Sequence, residues 1–178
     1  MTLEERIQAF KDFMKDTRVN AGPLAAELNL MGFFTAPAST RFHGAYEGGL
    51  FDHSLAVAKK LVGISEKMDL KWDSPDSPKV VGILHDICKC DLYERSEDGW
   101  KYCQNTIIAG HGDKSVIMAQ LLNHGPYLTE EEALCIRYHM GAYEGEGMWK
   151  NFGAAIGRYK NILWTHTADM WVSKVLRL

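Results

Sequence analysis

Apolar residues recur along this chain mostly at the spacing of one helix face, so the pattern predicts a mainly helical protein. Thr2 followed by Glu5 fits a capping box and marks the start of the first helix. The apolar residues that follow on one face are Leu3, Ile7, Phe10, Phe13 and Met14. A second short helix is predicted from near Pro23, because proline in the first turn lacks only an N–H that would have no partner there.

Five further helices are predicted from capping residues and apolar spacing. A long helix runs from Asp52 to about Met68, and the next begins at Ser77 and carries His85 and Asp86 in its second half. The other three begin at Gly112 or Asp113, at Thr129 with its capping partner Glu132, and at about Ala154, and they end near Leu122, His139 and Val175. The glycine-rich residues 141–153, just before the last helix, are predicted to form a loop.

Two segments depart from the helical pattern. Residues from Thr35 to Phe51 have no sustained period, and a connection this long in a compact domain is usually functional or mobile. The stretch around Asp98-Gly99 alternates apolar and polar residues across a favourable turn dipeptide, which predicts a β-hairpin. The expected fold class is therefore all-α, a helical bundle with one small β-hairpin insertion.

Composition limits the kind of protein. The 178 residues show no linker or composition shift, so a single domain over residues 1–178 is expected. A net charge of −3 gives no general attraction to polyanions, and no stable long nucleic-acid partner is expected. Four cysteines lack zinc-ribbon spacing, the first residues lack a signal-peptide layout, and no apolar run is long enough for a membrane span. A cytoplasmic location is the expectation, and the oligomeric state is open.

The stretch GILHDICK, Gly82 to Lys89, raises a chemical question. His85 and Asp86 lie side by side among apolar residues, and burying an imidazole and a carboxylate costs several kcal/mol unless each finds a partner. A metal ion satisfies both groups, whereas a local salt bridge is the simpler alternative.

The other histidines favour the metal. His53, His111 and His139 lie at or near the ends of three other predicted helices, beside small or apolar residues. In the last helix Asp169 shares a face with His166 within a mostly apolar stretch. Nitrogen and carboxylate ligands without thiolate suit Mn, Fe, Co, Ni, Zn or Mg.

This ordered series resembles the HD-domain metal-dependent phosphohydrolase superfamily. The resemblance extends to the motifs GGLFDHS, LHDICK, GHGDKS, YHMG and TADMW, and it covers a metal-site core of about residues 34–174. It implies an all-helical fold in which His53, His85, Asp86 and Asp169 hold one divalent metal. Members with two additional histidines hold a second metal bridged by the HD aspartate, and His111 and His139 occupy those places.

Catalytic and substrate-binding residues are predicted around this series. Asp86 is expected to bridge two ions, because a carboxylate has two oxygens and an imidazole cannot bridge. Lys89 follows Asp86 by three residues and Lys114 follows His111 by three, so both are candidate catalytic cations and phosphate contacts.

Two loop residues are further candidates. Arg41 is a candidate phosphate contact, and His43, two residues later in the same loop, is a candidate general acid or substrate contact. Loop aromatic residues are candidates for base stacking or for core and lid packing: Phe33, Phe34, Tyr46, Tyr143 and Trp149.

The expected function is hydrolysis of a small phosphate ester, a nucleotide or short oligonucleotide, by a metal-activated hydroxide. A 3'-5' exonuclease or a cyclic-nucleotide phosphodiesterase is the alternative within enzymes. The resemblance leaves two further alternatives open, a dinuclear-iron oxygenase and a non-catalytic regulatory module.

Overall fold

Local capping determines where the first helices begin. The computed structural model describes residues 1–97, 99–103, 108, 110–143 and 145–178. Helix α1 spans Leu3–Met14, and both hydrogen bonds of the predicted capping box between Thr2 and Glu5 are present. Helix α2 spans Ala21–Leu30 and begins two residues before Pro23, because the Asn20 side chain accepts the Gly22 N–H.

Helices α3, over Gly49–Lys67, and α4, over Ser77–Leu84, pack together at the centre of the molecule. A Cβ atom on Gly82 would lie 2.3 Å from the Ala58 Cα atom, so only glycine allows this approach. The core around them is apolar and includes the fully buried side chains of Phe10, Phe33, Phe34, Phe51, Leu61 and Ile83.

The predicted helix through His85 and Asp86 is shorter than expected. Helix α4 ends at Leu84, and Asp86 has φ −113° and ψ 18°, outside helical values. A 3₁₀ helix, Ile87–Cys90, follows directly. The prediction that the doublet lies inside the helix was wrong because the apolar pattern continues through Ile87 and Cys88, both buried, while the backbone changes direction.

The predicted β-hairpin is confirmed. Strand β1 spans Tyr93–Ser96 and pairs antiparallel with β2, Gly99–Tyr102, with Tyr93 opposite Tyr102. Asp98, the first residue of the predicted turn dipeptide, lies outside the described residues. Within the part of the chain that the structure describes, this hairpin is the only sheet beside the helices, so the all-α class with a small hairpin is confirmed.

The second half of the chain begins with α5, His111–Leu121, and α6, Glu130–Arg137, whose capping box at Thr129 is present as predicted. Helix α7 spans Glu146–Arg158 and α8 spans Asn161–Met170, followed by π-helical turns over Trp171–Leu176. None of the described helices has the length and apolarity required to cross a membrane.

The single last helix predicted from Ala154 to Val175 was wrong. The chain leaves helical geometry at Tyr159, with φ −128° and ψ 100°, and the predicted glycine-rich loop is helical from Glu146 onward. Met148, Phe152 and Ile156 repeat every four residues and pack against the core, which outweighs the low helix propensity of the intervening glycines.

Candidate metal centre

The buried polar side chains of the HD doublet meet ligand candidates from three other segments. His53 lies in α3, His139 follows α6, and Asp169 lies in α8. The side chains of His53, His85 and His139 are fully buried, and those of Asp86 and Asp169 nearly so. The structure therefore brings together five of the six predicted metal ligands from elements far apart in sequence.

Carboxylate oxygens lie between the imidazoles. The distance from His53 Nε2 to Asp169 Oδ1 is 3.2 Å, and the distance from His85 Nε2 to Asp86 Oδ2 is 3.4 Å. On the other side, His139 Nε2 lies 3.4 Å from Asp86 Oδ1. The two oxygens of Asp86 thus face different histidines, as a bridging carboxylate requires.

Backbone carbonyls fix the orientation of all three imidazoles. The Nδ1 atoms of His53, His85 and His139 lie 2.9, 2.9 and 2.7 Å from the carbonyl oxygens of Leu178, Gly82 and Ile136. A carbonyl can only accept, so each Nδ1 carries a hydrogen, and in the neutral imidazole the lone pair is then on Nε2. Metal-binding histidines commonly have this arrangement.

The lone pairs that point into the centre lack a hydrogen-bond partner. Among the described residues, His53 Nε2, His85 Nε2, His139 Nε2 and Asp86 Oδ1 are buried without one. Leaving each such group unsatisfied costs about 1–3 kcal/mol. Metal cations bound among them would satisfy all four, and the candidate donor atoms fall into groups within 4.8 Å of one another. The residues present therefore fit a divalent metal.

Charge at the centre also suits a cation. Burial raises the pKa of Asp169, but the adjacent imidazoles of His53 and His85 outweigh it and keep that pKa below its ordinary value. Burial lowers the pKa of His85. The carboxylate is thus ionised and His85 neutral near pH 7, which are the states that bind metal.

His111, the sixth predicted ligand, approaches the centre from the first residue of α5. Its Nδ1 lies 3.5 Å from the Cys88 sulfur, and Asp86, Cys88 and His111 form a group that could hold a metal. Cys88 is not among the metal ligands predicted from the sequence. Its proximity to His111 depends on how α5 packs on the 3₁₀ helix, which no short-range signal reports.

The predicted cations occupy different surroundings. Lys89 is buried, and its Nζ lies 2.6 Å from Asp86 Oδ2 at the wall of a cavity beside the centre. Lys114 instead pairs with Asp91, and neither Lys114 nor Arg41 is among the residues that line this cavity. Phosphate contacts by Lys114 and Arg41 remain predictions without support from this geometry.

His43 lies at the cavity wall, with its ring centre 5.1 Å from that of His53. Burial, together with His53 and Lys89, lowers the pKa of His43 to about 4. The imidazole is therefore neutral near pH 7, which favours a contact to substrate over proton donation by an imidazolium. His166, whose Nδ1 lies 2.7 Å from the His139 carbonyl oxygen, supports that segment from behind.

The cavity has a volume of about 220 Å³ and is bounded by residues that sequence reasoning mostly missed. Of the predicted aromatic candidates only Tyr143 lines it, since Phe33 and Phe34 belong to the core. The additional lining residues include Phe42, Tyr93, Tyr102, Ser173 and Lys174. Only the alternation in the hairpin could have drawn attention to Tyr93 and Tyr102.

Comparison with known proteins identifies the fold family. The sequence profile of the HD domain matches residues 50–169, which include all six predicted ligands. The chain belongs to the HD-domain family. Dihydroneopterin 2',3'-cyclic phosphate phosphodiesterase from Methanocaldococcus jannaschii is 39% identical to this HD domain over 67 residues. That match covers 36% of the chain and only 27% of the relative.

No solved structure matches this HD domain. The family profile and the phosphodiesterase relative are the two similarities found for this HD domain. They confirm the family that the sequence motifs indicated.

Proposed function

We propose that this HD domain hydrolyses a small phosphate ester with bound divalent metal ions. The observation that carries the proposal is the group of buried atoms without hydrogen-bond partners, three histidine Nε2 atoms and Asp86 Oδ1, beside a cavity open to a small molecule. Such a group is costly to bury unless a cation occupies it.

Two ions are proposed, drawn from Mn, Fe, Co, Ni, Zn or Mg. His53, His85, Asp86 and Asp169 would hold one, and Asp86, His111 and His139 the other. Support for the shared role of Asp86 comes from its two oxygens, one towards His53 and His85 and one towards His139.

The bound ions would supply Lewis acidity and a water of lowered pKa. The chain's own residues position the reaction. Backbone carbonyls hold the imidazoles still, and Lys89 and neutral His43 offer N–H donors to phosphoryl oxygens at the cavity wall. In the overall reaction the oxygen of water joins phosphorus, the P–O ester bond breaks, and the leaving oxygen takes a proton.

The proposed substrate class is a small cyclic phosphodiester, with phosphomonoesters as the second class. Support comes from the relative, which is named as a 2',3'-cyclic phosphate phosphodiesterase and is 39% identical to this chain over 67 residues. A cavity of about 220 Å³ suits a small molecule rather than a polymer.

The test begins with protein purified without a metal-binding tag. Metals per chain are measured by plasma mass spectrometry, and hydrolysis is assayed on cyclic phosphodiesters, phosphomonoesters and linear diesters. His85→Ala should lose metal and at least 100-fold in kcat/KM, about the loss expected when an essential catalytic group is removed.

His124→Ala, at an exposed histidine remote from the centre, is the matched control and should retain both properties. Unchanged metal content in His85→Ala would contradict the site. A metal-replete protein that hydrolyses no member of the panel would contradict the hydrolase and favour the oxygenase or regulatory alternative.

A further inference from the structure

Aromatic side chains surround the mouth of the cavity. We use "aromatic rim" for Phe42, Tyr93, Tyr102 and Tyr143, all of which line it. They come from three separate parts of the chain: the loop before α3, the two strands of the hairpin, and the 3₁₀ turn Gly141–Tyr143. Their convergence is therefore a product of tertiary structure and not of one aromatic stretch.

Three of the four side chains in the aromatic rim are largely exposed to solvent, so packing in the core does not explain their positions. Phe42 is 83% exposed, Tyr143 64% and Tyr102 58%. A single exposed aromatic residue is ordinary, but several around one concave site form an apolar patch of the kind that binds a ligand. Exposed ring faces beside a buried, charged centre fit a ligand with a flat apolar end and an anionic end.

The hairpin holds two of the rings in place. Tyr93 and Tyr102 are direct cross-strand partners, with ring centres 5.2 Å apart and planes at 60°. Such pairs stabilise a hairpin and fix the ring orientation. Burial, together with Tyr102, raises the pKa of Tyr93, so the phenol remains uncharged and does not repel a phosphate.

Charges are arranged along the depth of the cavity. At the inner end Lys89 faces Asp86, and at the mouth the ammonium of Lys174 lies 5.5 Å from the ring centre of Tyr143. Lys174 lines the cavity and is exposed. The mouth thus combines ring faces with a positive charge, while the carboxylates are confined to the inner end.

From this arrangement we infer that the aromatic rim binds a planar heteroaromatic ring, a nucleobase or similar fused heterocycle, on the same molecule whose phosphate reaches the metal centre. The inference rests on the proposed function and specifies its substrate class. The rim selects for the ring by stacking, which every nucleobase can accept, so discrimination between individual bases is not expected.

Matched substrates test the inference. A nucleoside 2',3'-cyclic phosphate is compared with methyl ribofuranoside 2',3'-cyclic phosphate, which keeps the reacting group and lacks the base. The wild type should prefer the ring-bearing substrate in kcat/KM by about 5- to 150-fold, the range for one stacked base. Equal values for the two substrates would overturn the inference.

Variants locate the effect. Phe42→Leu and Tyr102→Leu keep apolar volume and remove the ring faces. Each should lower the ratio of kcat/KM for the ring-bearing substrate to kcat/KM for the substrate without the base, by raising KM for the ring-bearing substrate. Tyr127→Leu is the matched control, because Tyr127 is 94% exposed and does not line the cavity. A ratio unchanged in both rim variants would overturn the assignment.

A binding measurement separates the two proposals. Calorimetric titration with a nucleoside monophosphate and with ribose 5-phosphate needs no turnover. Suppose that no substrate is hydrolysed, that the nucleotide binds more tightly than ribose 5-phosphate, and that Tyr102→Leu removes this difference in affinity. The proposed function then fails, whereas the inference that the aromatic rim binds the ring is supported. Equal affinities would contradict the rim even in an active enzyme.

Discussion

Asp86 lies among the imidazoles of His53, His85 and His139 and the ammonium of Lys89. Burial raises the pKa of Asp86, but Lys89 and His85 outweigh it and keep that pKa well below its ordinary value. One carboxylate therefore has two kinds of partner, the lysine Nζ at 2.6 Å and the surrounding imidazoles. When metal is absent, the lysine is the cation that compensates the buried charge.

Lys89→Met should destabilise the metal-free protein by about 1–3 kcal/mol, because it leaves a buried carboxylate without its charged partner. The measurement is urea unfolding in the presence of a chelator. Lys71→Met is the control, since that lysine pairs with Asp69 at the surface and the two side chains are 82% and 85% exposed. A similarly small change in both variants would contradict the role given to Lys89.

The sequence predicted which residues meet, but it could not predict how they are oriented. His53, His85 and Asp86 were identified by residue type and order along the chain. The tautomers depend on carbonyl oxygens of Leu178, Gly82 and Ile136, and only the folded backbone places those oxygens. Arg41 and Lys114 show the converse, because they lie close in sequence to His43 and His111 but neither of them lines the cavity.

The contact between helices α3 and α4 positions three of the predicted ligands. His53 lies in α3, and the HD doublet follows directly after α4. Gly82 lies three residues before His85, and a Cβ atom there would lie 2.3 Å from the Ala58 Cα atom of α3, so the helix spacing and the His85 position depend on the same residue.

Gly82→Ala should destabilise the protein by about 1–3 kcal/mol, because its Cβ would overlap Ala58. Gly63→Ala is matched to it, since Gly63 also lies inside a helix but a Cβ atom there would have no heavy atom within 4 Å beyond its own helix backbone and chain neighbours. Gly63→Ala should raise the free energy of unfolding by about 0.5–1 kcal/mol. Thermal melting compares the two, and equal shifts would contradict the close packing.

Arg18, in the segment before α2, forms ion pairs with carboxylates at the starts of α4 and α6. The Arg18 guanidinium lies 2.6 Å from Asp76 Oδ1 and 2.6 Å from Glu132 Oε2. Burial raises the pKa of Asp76, but hydrogen bonds from Ser74 and Arg18 outweigh it and lower that pKa below its ordinary 3.8. Stability from this carboxylate is complete above the unfolded pKa and is lost as pH falls through the folded pKa.

The free energy of unfolding of the wild type should therefore fall as the pH drops from about 5 to about 3. Arg18→Met should reduce the slope of this free energy against pH over that window, and it should lower the free energy of unfolding at about pH 6. Urea midpoints across this range provide the measurement. Arg158→Met, which removes an exposed ion pair with Glu130, should leave the slope as in the wild type. The same slope in Arg18→Met would contradict the linkage.

Helix starts were predictable where their signals were local, as at Thr2 and Thr129. The end of α4 and the break between α7 and α8 were not, because packing decides them: Ile87 and Cys88 remain buried after the helix ends, and Met148 and Phe152 stabilise a helix through glycines. Short-range patterns do not report these contacts.

The whole molecule is coupled to the proposed metal ions through ligands on separated elements. Binding that requires the folded arrangement adds to the free energy of unfolding, by about 2.7 kcal/mol when free metal is about 100 times its dissociation constant. The metal-free protein should consequently have a lower Tm, and adding metal should restore it.

Calorimetric scans with chelator and with added Mn²⁺, Co²⁺ or Zn²⁺ measure this difference. His85→Ala should show no metal-dependent rise in Tm, whereas His124→Ala should respond as the wild type does. A Tm independent of metal in the wild type would contradict coupling between binding and folding.

The spread of the ligand candidates from His53 to Asp169 also orders events during synthesis. While a ribosome is still translating α8, the nascent chain holds His53, His85, Asp86 and His139 but cannot yet present Asp169. The full set of ligands is complete only after that last helix has emerged and docked. Loading of the proposed metal ions would thereby be a late step in biogenesis, and a chain that stalls before α8 would be released without Asp169.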